Sequence, residues 1–375
     1  MSRRIWIHAL GAKIGGGLTY LGAVVPRLAA RLEGTDTTLT VLAPGTYHVG
    51  LPPWVEVRTV PWAASGSLRR LVFDQLVLPV WLAREKVDAL YCSGSFAPLI
   101  QPSPTVVLLR NAIYFDRAFV AREVPARRLL LRLQERLVVA AAARATALVY
   151  PSESMRRLVE ARHPHLGGQG RHSLYGIEEA FLSPVRGNGA SPRRRDGRWT
   201  FLYVMHYTLQ KNVGYVLRAL AAAKAEGLPV RVIVTSDLAD PPRAVGARDR
   251  ALVDEHDLVA SGHLVLAGAR YGAGLFELYE SADACLFPSS CESFGHPLVE
   301  ALALGKPLIA ADLPYAREIC GEHALFVDPE RPDALVELWR RWPSASHQVE
   351  AVPTTTLRER FSWDRHVDTL AALLA

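Results

Sequence analysis

The sequence predicts an α/β protein built from two doubly wound domains, each a parallel β-sheet with helices on both faces. The chain of 375 residues exceeds the usual size of a single domain. Half of its residues are apolar, which is enough for two hydrophobic cores. Strand-sized apolar runs alternate with helical patterns almost from end to end, and this alternation is typical of parallel sheets.

The first half contains predicted strands and helices that follow one another in this order. Buried strands are expected at residues 4–10, 38–43, 55–60, 89–92, 105–110 and 147–150. Helices are expected at about residues 18–32, 67–84, 125–144 and 152–162. A polar interval rich in glycine, proline and arginine then runs from residue 163 to residue 198, and it is the best candidate for a domain linker.

The second half repeats the pattern. Strands are expected at residues 199–204, 230–235, 264–267, 284–287, 307–310 and 324–327. Helices are expected at residues 212–226, 244–256, 274–281, 297–304, 315–320 and 332–342, with a closing helix at 361–374. We therefore predict one domain over residues 1–185 and another over residues 186–360. If the two face each other, the carboxyl ends of both sheets meet at one cleft, where such folds bind ligands.

Charge and cysteine usage narrow the functional classes. The formal charge of +6 and the pI near 9.2 permit anionic ligands or a membrane surface. No pattern for nucleic-acid binding is present, so no nucleic-acid partner is expected. Cys92 and Cys285 lie in apolar runs and are expected to be buried thiols of a reducing cytosol. No segment has the roughly 18 apolar residues of a membrane span, so we expect a cytoplasmic protein, soluble or peripheral on the inner membrane face.

Two glutamates follow the predicted strand at residues 284–287. Glu292 lies in the loop after that strand, and Glu300 lies one turn into a helix that opens at Pro297. The N–H groups at the start of this helix suit a phosphate. Two hydroxyl acceptors beside a phosphate site describe a pocket for a nucleotide-linked sugar. The alternative is a solvated loop glutamate followed by a glutamate on an exposed helix face.

The surroundings of these glutamates resemble a known family. With Phe294-Gly295-His296-Pro297 between them and Gly305-Lys306-Pro307 after them, they are similar to the E-x7-E motif of retaining GT-B glycosyltransferases of the family-4 type, the glycosyl transferases group 1. The resemblance extends over about residues 200–327 and covers the first domain only in outline. It implies two Rossmann-like domains facing across a cleft, with a C-terminal helix, here residues 361–375, packed back on the first domain.

The resemblance also implies an activity and residue roles. The enzyme would move a hexosyl group, with retention, from a GDP- or UDP-sugar to an acceptor hydroxyl in glycan, lipid-linked saccharide or glycoconjugate synthesis. Mannose, glucose, N-acetylglucosamine and rhamnose donors are not distinguished. Glu300 would accept hydrogen bonds from the ribose and Glu292 from the sugar. Backbone groups of the helix start would hold sugar and phosphate: Phe294, Gly295, His296, Pro297 and Leu298.

Lys211 would contact the diphosphate, because its loop matches the position of a basic pair in the family. The first member of that pair is Gln210 here, and His206 or Arg270 are candidates to supply the missing charge. Arg270 follows the strand at residues 264–267, in a turn whose backbone reads the nucleotide base in relatives. A cleft-rim ion pair is the alternative for Arg270.

Two regions of the first domain are also candidates for ligand contacts. The glycine-rich loop at residues 11–17, with Gly16 and Gly17, either meets donor phosphates or acceptor, or is only a tight strand-to-helix turn. Its spacing is not G-x-G-x-x-G, which argues against a dinucleotide site. Asn111 stands where many relatives have a histidine. It either contacts a sugar hydroxyl or ends its strand.

The leucine-rich helix at residues 125–144 carries a row of arginines, Arg127, Arg128, Arg132 and Arg136. One interpretation is a peripheral contact with anionic lipid headgroups, with Leu129, Leu130, Leu133 and Leu137 below the arginines. The other is an ordinary amphipathic helix whose basic face is solvated, and it is the more frequent arrangement.

The sequence contains no D-x-D motif, so neither a metal nor a cofactor is expected, and the nucleotide-sugar is a substrate. Other GT-B enzymes, such as a sugar phosphorylase or a sugar-nucleotide epimerase, would share the same cleft. A non-catalytic nucleotide-sugar-binding subunit would need a damaged donor site, whereas Glu292, Glu300 and Lys211 are all present.

Overall fold

The chain folds into two α/β units. The computed structural model describes residues 2–12, 15–45, 47, 50–183, 197–238, 243–345 and 350–375. Unit 1 consists of Met1–Gly176 together with Arg360–Ala375, and unit 2 consists of Ile177–Glu359. Each unit holds one parallel sheet with flanking helices, which confirms the predicted fold class.

Unit 1 contains a seven-stranded sheet in the order β3-β2-β1-β4-β5-β6-β7. All neighbouring pairs are parallel. The central strands are fully buried because their residues are apolar on both faces, as strands covered by helices on both sides must be. The strands are β1 (Arg3–His8), β2 (Thr37–Ala43), β3 (Val55–Thr59), β4 (Ala89–Cys92), β5 (Thr105–Leu108), β6 (Ala147–Tyr150) and β7 (Gly170–His172).

Helices flank the sheet of unit 1. All four helices predicted in the first half of the chain are present, and one of them is interrupted. The longer helices are α1 (Gly16–Leu32), α6 (Pro125–Ala142) and α7 (Glu153–Arg162). The short helices α2 (Pro61–Ala64) and α5 (Arg117–Arg122) were not predicted. Ser152 caps α7, because its side chain accepts a hydrogen bond from the backbone N–H of Met155.

The helix predicted at residues 67–84 is interrupted by a π-helical turn. It consists of α3 (Ser67–Val72), the π turn Phe73–Val77 and α4 (Leu78–Arg84). The N–H of Leu78 bonds to the carbonyl of Phe73, five residues back, and the next residue, Pro79, has no N–H to donate. The wider turn therefore lies at the point where the α-helical hydrogen-bond ladder is broken.

The described part of the proposed linker interval, residues 163–183 and 197–198, contains regular secondary structure. Its beginning contains the edge strand β7, which pairs with β6, so this part belongs to unit 1. The glycine- and arginine-rich stretches at residues 187–189 and 191–195 lie outside the described residues. The units divide after Gly176 rather than at residue 185. The reason is packing: Phe181 of α8 (Glu179–Leu182) lies 4.6 Å from the ring of Phe276 in unit 2.

Unit 2 contains a six-stranded sheet in the order β10-β9-β8-β11-β12-β13, again parallel throughout. Strand β11 occupies the predicted residues and is buried along its length. The other strands differ from their predicted ends by one residue. The strands are β8 (Trp199–Tyr203), β9 (Val230–Val234), β10 (Leu264–Leu266), β11 (Ala284–Phe287), β12 (Leu308–Ala311) and β13 (Leu325–Val327).

Helices alternate with these strands as predicted, with two short additions. They are α9 (Val213–Ala225), α10 (Arg243–Glu255), α11 (Gly272–Ser281), α12 (His296–Ala303), α13 (Pro314–Cys320), α14 (Pro332–Arg340), α15 (Trp342–Ala345) and α16 (Thr354–Arg360). No helix of the described part of the chain has the length and apolarity to cross a membrane. All four cysteines are buried thiols, as predicted for Cys92 and Cys285.

The C-terminal segment belongs to unit 1. The helix predicted at residues 361–374 is α17 (Trp363–Leu374). It begins at Trp363 because the Ser362 side chain caps it by accepting from the N–H of Arg365. Helix α17 packs on α1, where the hydroxyl of Tyr20 lies 2.7 Å from Nε2 of buried His366. Gly176 leaves room for this packing: a Cβ at that position would lie 2.2 Å from the backbone nitrogen of Trp363.

Candidate active site

The loop after β11 places Glu292 in contact with Lys211, which lies 81 residues earlier in the chain. The ammonium Nζ of Lys211 donates to Oε1 of Glu292 at 2.5 Å. The two side chains are only 15% and 16% exposed. The ammonium also lies 4.8 Å from the ring centroid of Phe287, the last residue of β11. A partly desolvated cation and carboxylate therefore stand together at the carboxyl end of the central strand of unit 2.

The Lys211 loop is held by contacts on both sides. The hydroxyl of buried Tyr203, at the end of β8, donates to the carbonyl of Lys211 at 2.5 Å. Asn212 adopts the left-handed conformation with φ of 54°, which asparagine tolerates better than most residues. Its side-chain amide donates to the carbonyl of Pro329 at 2.8 Å. These contacts fix the backbone from which the Lys211 side chain extends.

Ser289 links the Lys211 and Glu292 loops. Its buried hydroxyl lies 2.6 Å from Oε1 of Glu292 and 2.8 Å from the carbonyl of Gln210. The N–H of Ser290 donates to the same Gln210 carbonyl at 2.8 Å. Tyr315 of α13 donates from its hydroxyl to the carbonyl of Ser289 at 2.6 Å. The carboxylate of Glu292 is therefore oriented by a hydroxyl and an ammonium at once.

Helix α12 begins one residue earlier than predicted, at His296. Gly295 precedes it with φ of 90°, a conformation that residues with a side chain rarely adopt. Pro297 occupies the first turn, as predicted. Phe294 and Leu298 are buried, and the ring of Phe294 lies 5.1 Å from that of His296. The predicted sugar and phosphate contacts thus form one compact turn at the start of this helix.

Glu300 has a partner that the sequence did not suggest. The hydroxyl of Tyr279, a buried residue of α11, donates to Oε2 of Glu300 at 2.6 Å. Burial raises the pKa of Glu300 to about 7, and the hydrogen bond from Tyr279 opposes this rise only in part. Glu300 is therefore poised between its neutral and charged forms near neutral pH, whereas its predicted role needs an acceptor of hydrogen bonds.

His206 is a candidate to replace the positive charge missing at Gln210, and it lies close enough to Lys211 to feel its charge. Burial, together with the charge of Lys211, lowers the pKa of His206. The lowered pKa favours the neutral imidazole of His206, whose predicted role stays a prediction. Arg270 lies on the exposed loop between β10 and α11, where its Cδ approaches the position of a Cβ on Gly274 at 3.6 Å. Its guanidinium remains a candidate.

The candidate ligand contacts of unit 1 are Gly16, Gly17 and Asn111, and two of them have contacts within the unit. Helix α1 begins at Gly16, which is exposed. Gly17 is buried, and a Cβ there would lie 3.1 Å from Cα of Ala12, so its lack of a side chain is required by packing. The side chain of Asn111 forms a hydrogen bond to the hydroxyl of Tyr114. Asn111 thus already has a partner at the end of β5.

Sequence reasoning overlooked two residues of the site, Tyr279 and Ser289. Ser289 stands three positions before Glu292 in the same loop, so its proximity could have been recognised. Tyr279 reaches Glu300 from a separate helix, and no local spacing indicates that contact. Asp283, by contrast, has a structural role: its Oδ2 accepts from the N–H of Thr200 at 2.8 Å, which ties β8 to the start of β11.

Comparison with known proteins finds a family model similar to most of unit 2. Residues 188–351 match the family model described as glycosyl transferases group 1. The O-antigen chain mannosyltransferase RfbU of Salmonella typhimurium is 35% identical over 81 residues, which are 22% of this chain and 21% of RfbU. The phosphatidyl-myo-inositol mannosyltransferase of Mycolicibacterium smegmatis is 26% identical over 306 residues, 80% of this chain and 74% of that protein. The chain thus spans only about a fifth of RfbU.

Solved structures share the fold over the whole chain. Alr3699/HepE of Anabaena, in complex with UDP and glucose, has a TM-score of 0.70 at 17% identity and covers 99% of this chain and 98% of its own. WaaG, a glycosyltransferase involved in lipopolysaccharide biosynthesis, has a TM-score of 0.70 at 16% identity, with 99% coverage of both chains. The chain therefore has the GT-B fold of two parallel α/β units, and residues 188–351, within its second unit, are similar to the glycosyl transferases group 1 family.

Proposed function

We propose that this protein is a retaining glycosyltransferase that moves a hexosyl group from a nucleoside-diphosphate sugar to an acceptor hydroxyl. The observation that carries the proposal is the contact of Lys211 with Glu292 beside the start of α12. A cation, a carboxylate and a helix N-terminus at one strand end match the charges of a diphosphate linked to a sugar. The match of residues 188–351 to the glycosyl transferases group 1 model supports the same reaction class.

Each group has a defined task in this proposal. Glu300 accepts hydrogen bonds from the ribose hydroxyls, and Glu292 accepts them from hydroxyls of the transferred sugar. Lys211 donates to the diphosphate, so donor binding replaces part of its contact with Glu292. Ser289 keeps the Glu292 carboxylate in place when Lys211 turns to the phosphates, because its hydroxyl lies 2.6 Å from Oε1.

The reaction breaks the bond between the anomeric carbon and the oxygen of the β-phosphate. The electron pair of that bond leaves with the diphosphate, where Lys211 and the α12 N-terminus stabilise the added negative charge. The acceptor oxygen bonds to the anomeric carbon on the face from which the diphosphate departs, and its proton passes to the leaving phosphate oxygen. The configuration is retained, and no metal is required. Activity should therefore survive addition of EDTA.

Mannose is the sugar that the comparisons favour. RfbU and the phosphatidyl-myo-inositol mannosyltransferase are named as mannosyltransferases, and so is WbdA of Escherichia coli, 32% identical over 96 residues. Alr3699/HepE is described with UDP-glucose, which keeps uridine and glucose among the donors to test. A thermal-shift comparison of GDP, UDP, GDP-mannose and UDP-glucose separates these choices. Saturation at 100 times Kd should stabilise unit 2 by about 2.7 kcal/mol.

The decisive experiment compares Glu292→Gln with Glu277→Gln, a control that removes an exposed carboxylate from α11. Glu292→Gln should keep nucleoside-diphosphate binding and lose about 10²- to 10³-fold in kcat for sugar transfer. Glu277→Gln should leave both unchanged. Full activity of Glu292→Gln would refute the role of Glu292, and a flat thermal response to every nucleotide would refute the donor class. Turnover that depends on inorganic phosphate would indicate a phosphorylase, and isomerisation without acceptor an epimerase.

We also propose that α6 attaches the protein to an anionic lipid surface. Its buried face is formed by Leu131, Glu135 and Val138, whereas Leu129, Leu130 and Leu133 are 59%, 40% and 47% exposed. Three of the leucines that the sequence analysis set below the arginines are therefore exposed. The leucines stand in solvent beside exposed arginines, Arg127, Arg132 and Arg136. An apolar surface rimmed by cations suits the interface of a negatively charged bilayer.

Vesicle flotation tests this attachment. The protein should float with phosphatidylcholine vesicles that contain phosphatidylglycerol and remain in solution with pure phosphatidylcholine. Leu129→Ser combined with Leu133→Ser should abolish flotation without a change in sugar transfer to a soluble acceptor. Equal flotation of the variant and the unmodified protein would contradict the assignment of α6.

A further inference from the structure

A buried charged cluster lies at the carboxyl end of β1, in unit 1. His8, the last residue of β1, places Nε2 2.6 Å from Oδ1 of Asp74. Arg70 donates from Nε to Oδ2 of the same carboxylate at 2.9 Å. His8 and Asp74 are essentially inaccessible to solvent, and the Arg70 side chain is 14% exposed. Burying three polar side chains is costly, so the cluster needs a reason beyond packing.

The cluster holds the guanidinium of Arg70 in one orientation. Asp74 lies in the π turn, one helical turn beyond Arg70, so their contact bridges α3 and that turn. Burial by itself raises the pKa of Asp74, but His8 and Arg70 outweigh burial, so the pKa is lowered and the carboxylate stays ionised. Both carboxylate oxygens are then engaged. Only Nε of the Arg70 guanidinium has a hydrogen-bond partner among the described residues.

The two remaining nitrogens of Arg70 lie over Gly11, the residue that opens the β1–α1 loop. A Cβ on Gly11 would lie 2.9 Å from Nη1 and 3.4 Å from Nη2, so the guanidinium occupies the space of that side chain. The charge of Arg70 also reaches Tyr114, beyond β5, where it lowers the pKa that burial raises. Arg70 thus presents the N–H groups of two nitrogens at the carboxyl edge of the sheet, where parallel α/β sheets bind ligands.

A second guanidinium stands at the other end of the same loop. Nη2 of Arg110, two residues beyond β5, lies 3.6 Å from the position of a Cβ on Gly17. The guanidinium packs over the ring of Tyr20, with 5.3 Å between Cζ and the centroid. Within the part of the chain that the structure describes, no carboxylate pairs with Arg110. Two arginines therefore flank the loop, and only one of them has an acidic partner.

We propose that Arg70 and Arg110 bind a phosphate group carried by the acceptor. This inference rests on the proposed function, because it assigns the acceptor of that reaction. The planar arginine fork offers parallel N–H groups that match phosphate oxygens in pairs, and Asp74 fixes the fork of Arg70 in advance. Arg110 has no acidic partner among the described residues, so its charge offsets part of that of a phosphate monoester, which is close to −2 at neutral pH, while Arg70 adds oriented donors. The acceptor is thus a phosphorylated sugar or polyol, or a lipid with a monoester phosphate.

Arg70→Gln, with Arg69→Gln as a matched control, tests this site. Arg69 is the neighbouring exposed arginine of α3, and it donates to Ser65 rather than to the cluster. The probe is sn-glycerol 3-phosphate, titrated at constant ionic strength into the full-length protein, with glycerol as the uncharged control and melting temperature as the readout. The unmodified protein and Arg69→Gln should show saturable binding. Arg70→Gln should bind about 10- to 100-fold more weakly, the range for lost charge-assisted hydrogen bonds.

A second variant covers the case in which Arg70→Gln fails to fold. Gly11→Ala leaves every charge in place but sets a methyl group 2.9 Å from Nη1, which displaces the fork. It should weaken sn-glycerol 3-phosphate binding at least tenfold. Arg70→Lys should restore little of the affinity, because it keeps the charge without the paired donors. Binding by Arg70→Lys equal to that of the unmodified protein would overturn the claim that fork geometry matters.

The source of the phosphate is decided by parallel titrations of Arg70→Gln with GDP, UDP and vesicles. Nucleotide binding should be unchanged, and an equal loss for nucleotides would assign the arginines to the donor and overturn the proposal. Vesicles of phosphatidylcholine with phosphatidic acid distinguish a lipid phosphate from a soluble one. A site that is specific for lipid should bind these vesicles and not sn-glycerol 3-phosphate. No response of the unmodified protein to sn-glycerol 3-phosphate or to phosphatidic acid would overturn the phosphate site. A normal nucleotide response in that case would leave the glycosyltransferase proposal standing.

Discussion

The raised pKa of Glu300 predicts a particular dependence of stability on pH. In the folded protein this pKa is about 7, compared with 4.5 for a solvated glutamate. Between these values the folded state holds the proton more tightly than the unfolded state. The stability that Glu300 contributes is therefore fully present below pH 4.5 and is lost as the pH rises through 7. Glu300→Gln removes the titration and keeps an oxygen that accepts from Tyr279.

The size of the effect follows from the same shift. At 1.36 kcal/mol for each pH unit, complete burial would give a loss of roughly 3 kcal/mol above pH 7. Glu300 keeps some contact with solvent, which reduces the expected loss to about 1–2 kcal/mol. Relative to Glu300→Gln, the unmodified protein should thus lose most of that amount between pH 5 and pH 8.5.

Urea unfolding followed by tryptophan fluorescence, at several pH values from 5 to 8.5, measures this difference. The difference between the unmodified protein and Glu300→Gln cancels the contributions of all other titrating groups, and Glu277→Gln serves as an exposed control. Parallel curves for Glu300→Gln and the unmodified protein would refute the reasoning. In addition, nucleotide affinity of the unmodified protein should increase from pH 5.5 to 8, since ribose hydroxyls bind the ionised carboxylate better.

Two further substitutions test packing and ion pairing. Gly176→Ala sets a methyl group 2.2 Å from the backbone nitrogen of Trp363, so it should lower the free energy of unfolding by about 3 kcal/mol. Gly168→Ala is the control: a Cβ there meets open space, so the substitution should lower the free energy of unfolding by less than about 1 kcal/mol. Equal losses for the two variants in urea unfolding would contradict this packing. Lys211→Met should destabilise the protein by about 2 kcal/mol because it leaves the partly buried Glu292 unpaired, and adding Glu292→Gln should recover part of that loss. Additive losses in this double-mutant cycle would show that the pair is not coupled in solution.

The strands were the most predictable part of the fold. Strand β11 was predicted at its observed residues, because an apolar run on both faces is what a central parallel strand requires. Strand β7 was missed, since Gly170-Arg171-His172 is short and polar and pairs with a single neighbour. The sequence of an edge strand carries little hydrophobic pattern, so it was assigned to a linker.

Helix α6 illustrates a different limit of sequence reasoning. Its residues and length were predicted to within two positions, but the sequence did not show which of its leucines are buried. Leucines fall on several sides of the helix, so periodicity alone does not decide which of them meet the sheet. Packing around Leu131 and Glu135 made that choice and left Leu129 and Leu133 in solvent.

The sequence by itself determined the alternation of strands and helices, the glutamates that follow β11 and the helix start that lies between them. These features depend on neighbours within a few residues, where hydrophobic period, proline and glycine act directly on the backbone. Only the tertiary structure decided that Lys211 meets Glu292, that Tyr279 meets Glu300 and that Asp74 joins His8 to Arg70. Such contacts depend on how separate strands and helices are placed side by side in the sheet, and local spacing along the chain carries no record of that placement.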